Sequence, residues 1–159
     1  MDLVEHLINI NKCTKVTKGG RNFSFSVIMV VGDKNGHIGY GLGKALEVIN
    51  AKLKAINKAK KNIQKIPLRN GRTLHHKIKY KYCSSIILMI PAPSGKGLIA
   101  GSVVKMICNV IGIKDIISKS LGSNNCYNLV RAVIKGLNTI NSPNIIAKKR
   151  RKNIRYYNC

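Results

Sequence analysis

The sequence predicts a mixed α and β fold built in two parts, and three observations carry that reading. Period-two apolar patterning up to Tyr40 gives way at Lys44 to a long helical period. Pro67 stops that helix, and a turn follows at Arg69-Asn70-Gly71-Arg72. After residue 85 the order strand, loop, helix, strand, loop, helix repeats the change of period.

In the first part, Leu3 to Ile8 reads as a short helix with Leu3, Leu7 and Ile8 on one face. Asn11 to Thr17 reads as a strand leading into Lys18-Gly19-Gly20-Arg21, a glycine turn between two cations. Phe23 to Val31 returns as a strand whose later residues lose polar alternation, the pattern of a strand covered on both faces. Asp33-Lys34-Asn35-Gly36 is a turn, and His37 to Tyr40 a second short strand. Gly39, Gly41 and Gly43 then strip one strand face of side chains, so the chain bends there or something approaches closely. From Lys44 to about Lys65 the residues Leu46, Ile49, Leu53, Ile56, Ala59 or Lys60, and Ile63 mark the expected inward face of a helix roughly 33 Å long.

In the second part, Ile78, Tyr80 and Tyr82 alternate with lysines, with the tyrosines expected inward, and Ile86 to Ile90 is a buried run. Pro91 to Gly97 forms a glycine loop that opens a helix over Ser102 to Val110, ended by Gly112. Ile113 to Ser120 reads as a strand containing Asp115, and Asn128 to Ile140 as the last clear helix. Lys148 to Arg155 carries six cations and no acid, a tail or frayed helix end.

Charge narrows the function. Lys and Arg number 29 against 5 Asp and Glu, a net +24 that no fold requires and a polyanion explains. Between Lys52 and Lys81 stand eleven cations and no acid, so the lysine face of the long helix lacks internal neutralisation. At the Gly19-Gly20 turn, backbone N–H groups can meet phosphate while Lys15, Lys18 and Arg21 supply charge; an ordinary solvated turn fits the residues equally well. No apolar run reaches membrane-span length, and Met1 to Leu7 carries acids where a signal peptide would be basic.

Catalysis is not expected. Gly43-Lys44 lacks both the earlier glycine and the following hydroxyl of a phosphate-binding loop, because Ile38 and Ala45 hold those places. Gly39, Gly41 and Gly43 also fail the dinucleotide fingerprint. The five acids stand at no catalytic spacing, and His6, His37, His75 and His76 show no partner acid nearby. Cys13, Cys83, Cys108, Cys126 and Cys159 are scattered, which favours neither zinc nor a disulfide framework. No cofactor, metal or small-molecule substrate is expected.

Several motifs then carry a resemblance. Val16-Thr17-Lys18-Gly19-Gly20-Arg21-Asn22-Phe23-Ser24-Phe25, Val30-Val31-Gly32-Asp33 and Gly39-Tyr40-Gly41-Leu42-Gly43-Lys44-Ala45 are similar to bacterial-type small-subunit ribosomal protein S-five. Pro91-Ala92-Pro93, Gly97 to Gly101, Gly122-Ser123, Asn128 to Ala132 and Gly136-Leu137 continue the likeness in order, over Leu3 to about Lys149. The resemblance implies an α+β chain: a double-stranded-RNA-binding-like domain at 1–67, a C-terminal S-five-type α/β domain at 68–147, and a basic tail at 148–159. It implies binding to small-subunit rRNA, neighbours S-four and S-eight, and a place beside the path by which mRNA enters, with an effect on translational accuracy. The hairpin tip would reach toward the subunit head, near the spectinomycin site. Candidate RNA-binding residues are Lys15, Lys18, Gly19, Gly20, Arg21, Asn35, His37, Gly41, Gly43, Lys44, Lys52, Lys58 and Lys61. Gly97 and Lys105 are candidates for the contact with S-four. His37 replaces a usual basic residue, Cys126 a usual proline, and Lys105 a frequent arginine. The expected setting is the cytoplasmic ribosome of a bacterium or reduced endosymbiont, with an organellar ribosome as the alternative. The other functional readings are a free-standing double-stranded-RNA-binding regulator and a kinase-like enzyme on the second domain's fold.

Overall fold

A computed structural model describes residues 3–153. The first four strands form one sheet in the order β1-β2-β3-β4, namely β1 (Val4–Thr17), β2 (Gly20–Gly32), β3 (His37–Ala45) and β4 (Gln64–Lys65). Helix α1 (Val48–Lys61) crosses one face of it.

The expected helix over Leu3 to Ile8 is instead the start of β1. Val4 pairs with Gly32 and Leu7 with Met29, and a bulge at Ile8 precedes the pairing of Asn9 with Ile28. Leu7 packs on the α1 side of the sheet and Ile8 on the other, so apolar residues adjacent in sequence serve two different cores. Glu5 adds an ion pair to Lys60 of α1 at 2.9 Å. The same two-sided burial accounts for the late apolar run of β2: Val27 and Met29 face α1, and Ile28 and Val30 face the second half.

Helix α1 is shorter than expected and rotated from the expected face, of which Ile56 packs against the core and Ala59 is buried while Leu46, Ile49 and Leu53 turn out. It ends at Lys61 because Gln64 and Lys65 leave to pair with Ile38 and His37, which makes its 14 residues about 21 Å long. Its buried residues are Ala51, Ala55 and Ala59, whereas Leu46, Ile49 and Leu53 are 76%, 71% and 55% exposed. The reason lies across the interface. A Cβ placed on Gly39, Gly41 or Gly43 would stand 2.2, 2.0 and 2.0 Å from the carbonyl oxygens of Ala59, Ala55 and Ala51. Helix and strand backbones are therefore in near contact, and only alanine fits on the facing side of the helix.

The second sheet has the order β5-β6-β8-β7, from β5 (Ile78–Tyr82), β6 (Ser85–Pro91), β7 (Leu98–Ile99) and β8 (Ile116–Ser120). Helix α2 (Ser102–Ile111) joins the parallel pair β7 and β8, and α3 (Cys126–Asn138) packs on the face carrying Ile87 and Met89. Strand β8 starts three residues later than expected, since Lys114 and Asp115 donate their N–H groups to the Arg72 carbonyl. Helix α3 starts earlier, its first turn capped by the Asn125 side chain, which accepts from Tyr127 N at 3.1 Å. Where the tail was expected, α4 (Pro143–Arg150) runs from a Ser142 cap, with Ala147 buried; Ile154 and Arg155 lie outside the described residues.

One apolar core joins the two halves, combining Ile28, Val30 and Ile38 with Leu74, Ile107 and Val110. The β2–β3 turn caps α2, with Lys34 N and Gly36 N donating to the Val110 and Ile111 carbonyls at 3.0 and 2.9 Å. Gly112 ends α2 at φ +95°, where a Cβ would stand 2.0 Å from the Lys34 carbonyl oxygen.

The glycine face makes the first prediction. Gly41→Val forces a side chain into the Ala55 backbone and should cost about 3 kcal/mol or more. Lys34→Ala removes an exposed side chain and should stay within about 0.5 kcal/mol. Urea unfolding of both variants measures this, and equal small losses would show that the helix can lift off the strand.

Candidate nucleic-acid interface

The hairpin of β1 and β2 rises out of the sheet. From Ile10 to Phe23 every residue is exposed, so the outer four residue pairs, Thr14 with Phe23 to Thr17 with Gly20, form a ribbon about 13 Å long with no core behind it. Thr17 pairs with Gly20 across a two-residue tip of Lys18 and Gly19, Gly20 has φ +135°, and the Thr17 hydroxyl donates to the Gly20 carbonyl at 3.1 Å. Nothing lies within 4 Å of a Cβ at Gly19 or Gly20, so the tip backbone is open. Lys15 pairs with Asn22 and Arg21 with Val16, which brings Lys15, Lys18 and Arg21 to the end of one arm. Lys12 lies 4.2 Å over the Phe23 ring lower on the same ribbon.

A second group gathers at the free edge of β3. Lys44, Lys58 and Lys61 line one open cleft of about 430 Å³ together with Lys54, another residue of the helix's lysine face, and Asn57, which the sequence does not single out. They meet because residues 54, 58 and 61 lie one turn apart on α1, and β3 beyond Ile38 has no partner strand on that edge. Lys52 is outside this cleft. Gly41 and Gly43 are corrected as exposed contact points: both are buried with their bare face against α1, though the Gly43 backbone borders the cleft. What approaches the glycines is the chain's own helix.

His37 has a partner acid after all. The Asp33 carboxylate accepts from the N–H groups of Asn35 and His37 through one oxygen, at 2.8 and 3.0 Å, and its other oxygen meets His37 Nδ1 at 2.6 Å. The turn brings the two side chains together across four residues. Burial works to raise the Asp33 pKa, but the two backbone bonds and the imidazole outweigh it and hold the pKa below its usual value. Asn35 is exposed beside this pair.

On the second half, Gly97 is half-buried at φ +76° and Lys105 is exposed on α2. The loop carrying Gly97 is held from beneath by Asp115, which is 2% exposed. One Asp115 oxygen accepts from Gly95 N and Gly97 N at 3.1 and 3.0 Å; the other accepts from Arg72 Nε at 3.1 Å. The Gly97 bond is the foremost cause of a lowered pKa, with burial opposing it and Arg72 assisting. The signal for this clamp was present: an acid flanked by isoleucines in an acid-poor chain needs donors. Arg131 forms another contact unseen in sequence, donating to Tyr82 Oη at 2.7 Å while its guanidinium lies 4.2 Å from the Tyr127 ring centre.

Two family models match the chain, described as Ribosomal protein S5, N-terminal domain, over residues 3–67 and Ribosomal protein S5, C-terminal domain, over residues 80–150. The chain belongs to the ribosomal protein S-five family. It is similar to small ribosomal subunit protein uS5 of Wolbachia pipientis wMel, 48% identical over 96% of this chain and 90% of that protein. The corresponding proteins of Ehrlichia canis and Maricaulis maris are 45% and 44% identical, covering 96% and 94% of this chain and 88% and 74% of theirs. The mixed α+β architecture, an N-terminal S-five domain followed by a C-terminal S-five-type domain, agrees with the expected fold class. The first model ends at Pro67 and the second begins inside β5, so Leu68 to Lys79, including the Arg69–Arg72 turn, lie between them in this S-five chain.

The Asp115 clamp has a pH sign. Its folded pKa lies below the ordinary 3.8, so its stabilisation is present above that pH and is lost as pH falls through the lower folded value. In an NMR titration, the amide shifts of Gly95 and Gly97 should move together with a midpoint below 3.8, and Asp115→Asn should abolish the step. A midpoint at or above 3.8 would mean that the loop does not depend on the carboxylate.

Proposed function

We propose that the chain is a non-catalytic structural protein of the small ribosomal subunit that binds small-subunit rRNA through the β1–β2 arm and the lysine cleft beside α1. The arm carries this reading. A ribbon of exposed residues with cations and open backbone at its end buries nothing of its own, and an rRNA surface supplies what it lacks. Lys15, Lys18, Gly19, Gly20 and Arg21 form the tip contact, and Lys44, Lys52, Lys58 and Lys61 the helix-side contact. Asn35 and His37 present a third point, with His37 oriented by Asp33.

Family membership and the observed surfaces support a finer placement. Ribosomal proteins S-four and S-eight are the proposed protein neighbours, with mRNA passing nearby, and the loop at Gly97 with Lys105 is the proposed contact with S-four. The proposed setting is the cytoplasmic ribosome of a bacterium, a reading supported by the bacterial organisms of the similar proteins. The proposed domain limits are 1–67, 68–147 and 148–159, although α4 (Pro143–Arg150) crosses the limit between 147 and 148.

Each phosphate contact releases counterions, so its loss lowers the salt slope of binding by about one unit. Lys18→Ala with Arg21→Ala should lower the slope for small-subunit rRNA by about two units with unchanged thermal stability. Lys148→Ala with Lys149→Ala serves as the tail control. A tip variant with the parental slope would mean that the arm does not touch rRNA.

Accuracy is tested at Gly97. A charged side chain there must adopt a positive φ and project from the clamped loop, so Gly97→Glu should weaken the proposed contact and raise misreading in ribosomes that carry it. Lys105→Ala, which leaves the backbone alone, should act in the same direction more weakly. Normal misreading in ribosomes fully loaded with Gly97→Glu would remove the S-four contact from this loop.

A further inference from the structure

The turn Arg69–Arg72 is the ridge between two clefts where the halves of the chain meet. On one side a cleft of about 650 Å³ is lined by His6, Lys34 and Lys114, with Asn35, Asn109 and Gly71 completing its polar wall. On the other a cleft of about 360 Å³ holds Arg69 and Arg72 against the Pro91-to-Ser94 wall. The ridge is rigid. Asn70 and Gly71 turn it at φ +52° and +64°, Arg69 N donates to Thr73 O at 2.8 Å, and the Arg72 carbonyl accepts from Lys114 N and Asp115 N at 2.8 and 3.3 Å.

Charge along this surface has one sign. Among the described residues the only acid lining either cleft is Asp115, and its carboxylate already accepts from Gly95, Gly97 and Arg72. That bond takes only Nε of Arg72, so Nη1 and Nη2 have no partner among the described residues while the guanidinium plane is held in place. A fork fixed at one edge and free at the other matches the oxygens of a phosphate, and beside it the side chains of Arg69 and Lys114 make no hydrogen bond or ion pair among the described residues. Lys34 and Lys114 continue the row into the larger cleft.

We propose that these two clefts form a second site for an RNA backbone, taking phosphates on either side of the Arg69–Arg72 ridge and binding the strand across the junction of the two halves. This rests on the rRNA-binding reading and extends its contact point at Asn35, which lines the larger cleft, to a location that neither the hairpin arm nor the α1 cleft provides. A polyanion spanning separate clefts fits a row of four cations better than one acidic side chain would, and a net charge of +24 points the same way.

The experiment uses the full chain and a small-subunit rRNA transcript. Arg69→Ala with Lys114→Ala removes two cations whose side chains hold nothing internal, so stability should not change. The salt slope should fall by about two units, independently of a fall caused by Lys18→Ala with Arg21→Ala. In the parent chain, the Nε–H NMR signals of Arg69 and Arg72 should shift when the transcript is added, a readout that requires no variant to fold. If the tip variant lowers the slope while the ridge variant does not, and the arginine signals stay still, the ridge is not an RNA site and the rRNA reading survives. If neither variant changes the slope, both are overturned. If the ridge variant loses binding to poly-glutamate but keeps its rRNA slope, the clefts take a protein carboxylate and the proposal fails.

Discussion

The near contact of two backbones, α1 on β3, is the constraint from which much of the first half follows. Alanines at 51, 55 and 59 meet glycines at 43, 41 and 39, with no room for a further carbon. Close approach of this kind buries little side-chain surface, so its stability comes from dispersion between backbones and from what the sheet does on its other face. It also decides the helix's outer surface. Once alanines point inward, Leu46, Ile49 and Leu53 point out, and Lys54, Lys58 and Lys61 come to lie along the open edge of β3. The cation cleft is thus a consequence of the glycine spacing.

The other face of the same sheet belongs to the second half. Ile28, Val30 and Ile38 enter a core that continues through α2 and α3, and the β2–β3 turn supplies N–H groups to the end of α2. The two halves are therefore joined by apolar burial and by a helix cap at one place. Rigidity at that junction gives the neighbouring Arg69–Arg72 turn a defined position, and the Asp115 clamp extends this order to the Gly95–Gly97 loop. Arms and loops that meet a partner gain from such support, because less ordering entropy is lost on binding.

Much of this was legible from residues alone, and the limits are instructive. The hairpin tip, β2, helices α2 and α3 and the inward tyrosines follow from period and turn chemistry, which are local properties. Leu3 to Ile8 was misread because a bulged strand that packs Leu7 on one face of the sheet and Ile8 on the other mimics a helical spacing. The α1 face was misread because hydrophobicity ranks leucine above alanine, while space at a glycine strand ranks them the other way. Asp33 and His37 stand four residues apart in a turn, a pairing that spacing rules for helices and strands do not anticipate.

By itself the sequence determined the class of partner, the two-part α+β order and the positions of the cationic turns, because net charge, periodicity and glycine placement act without reference to distant residues. Only the tertiary structure decided which cations share a surface, that the bare strand faces the chain's own helix, and that one buried carboxylate holds the Gly97 loop. Those outcomes depend on contacts between residues far apart in the chain, such as Arg72 with Asp115, and a one-dimensional pattern carries no distance between them.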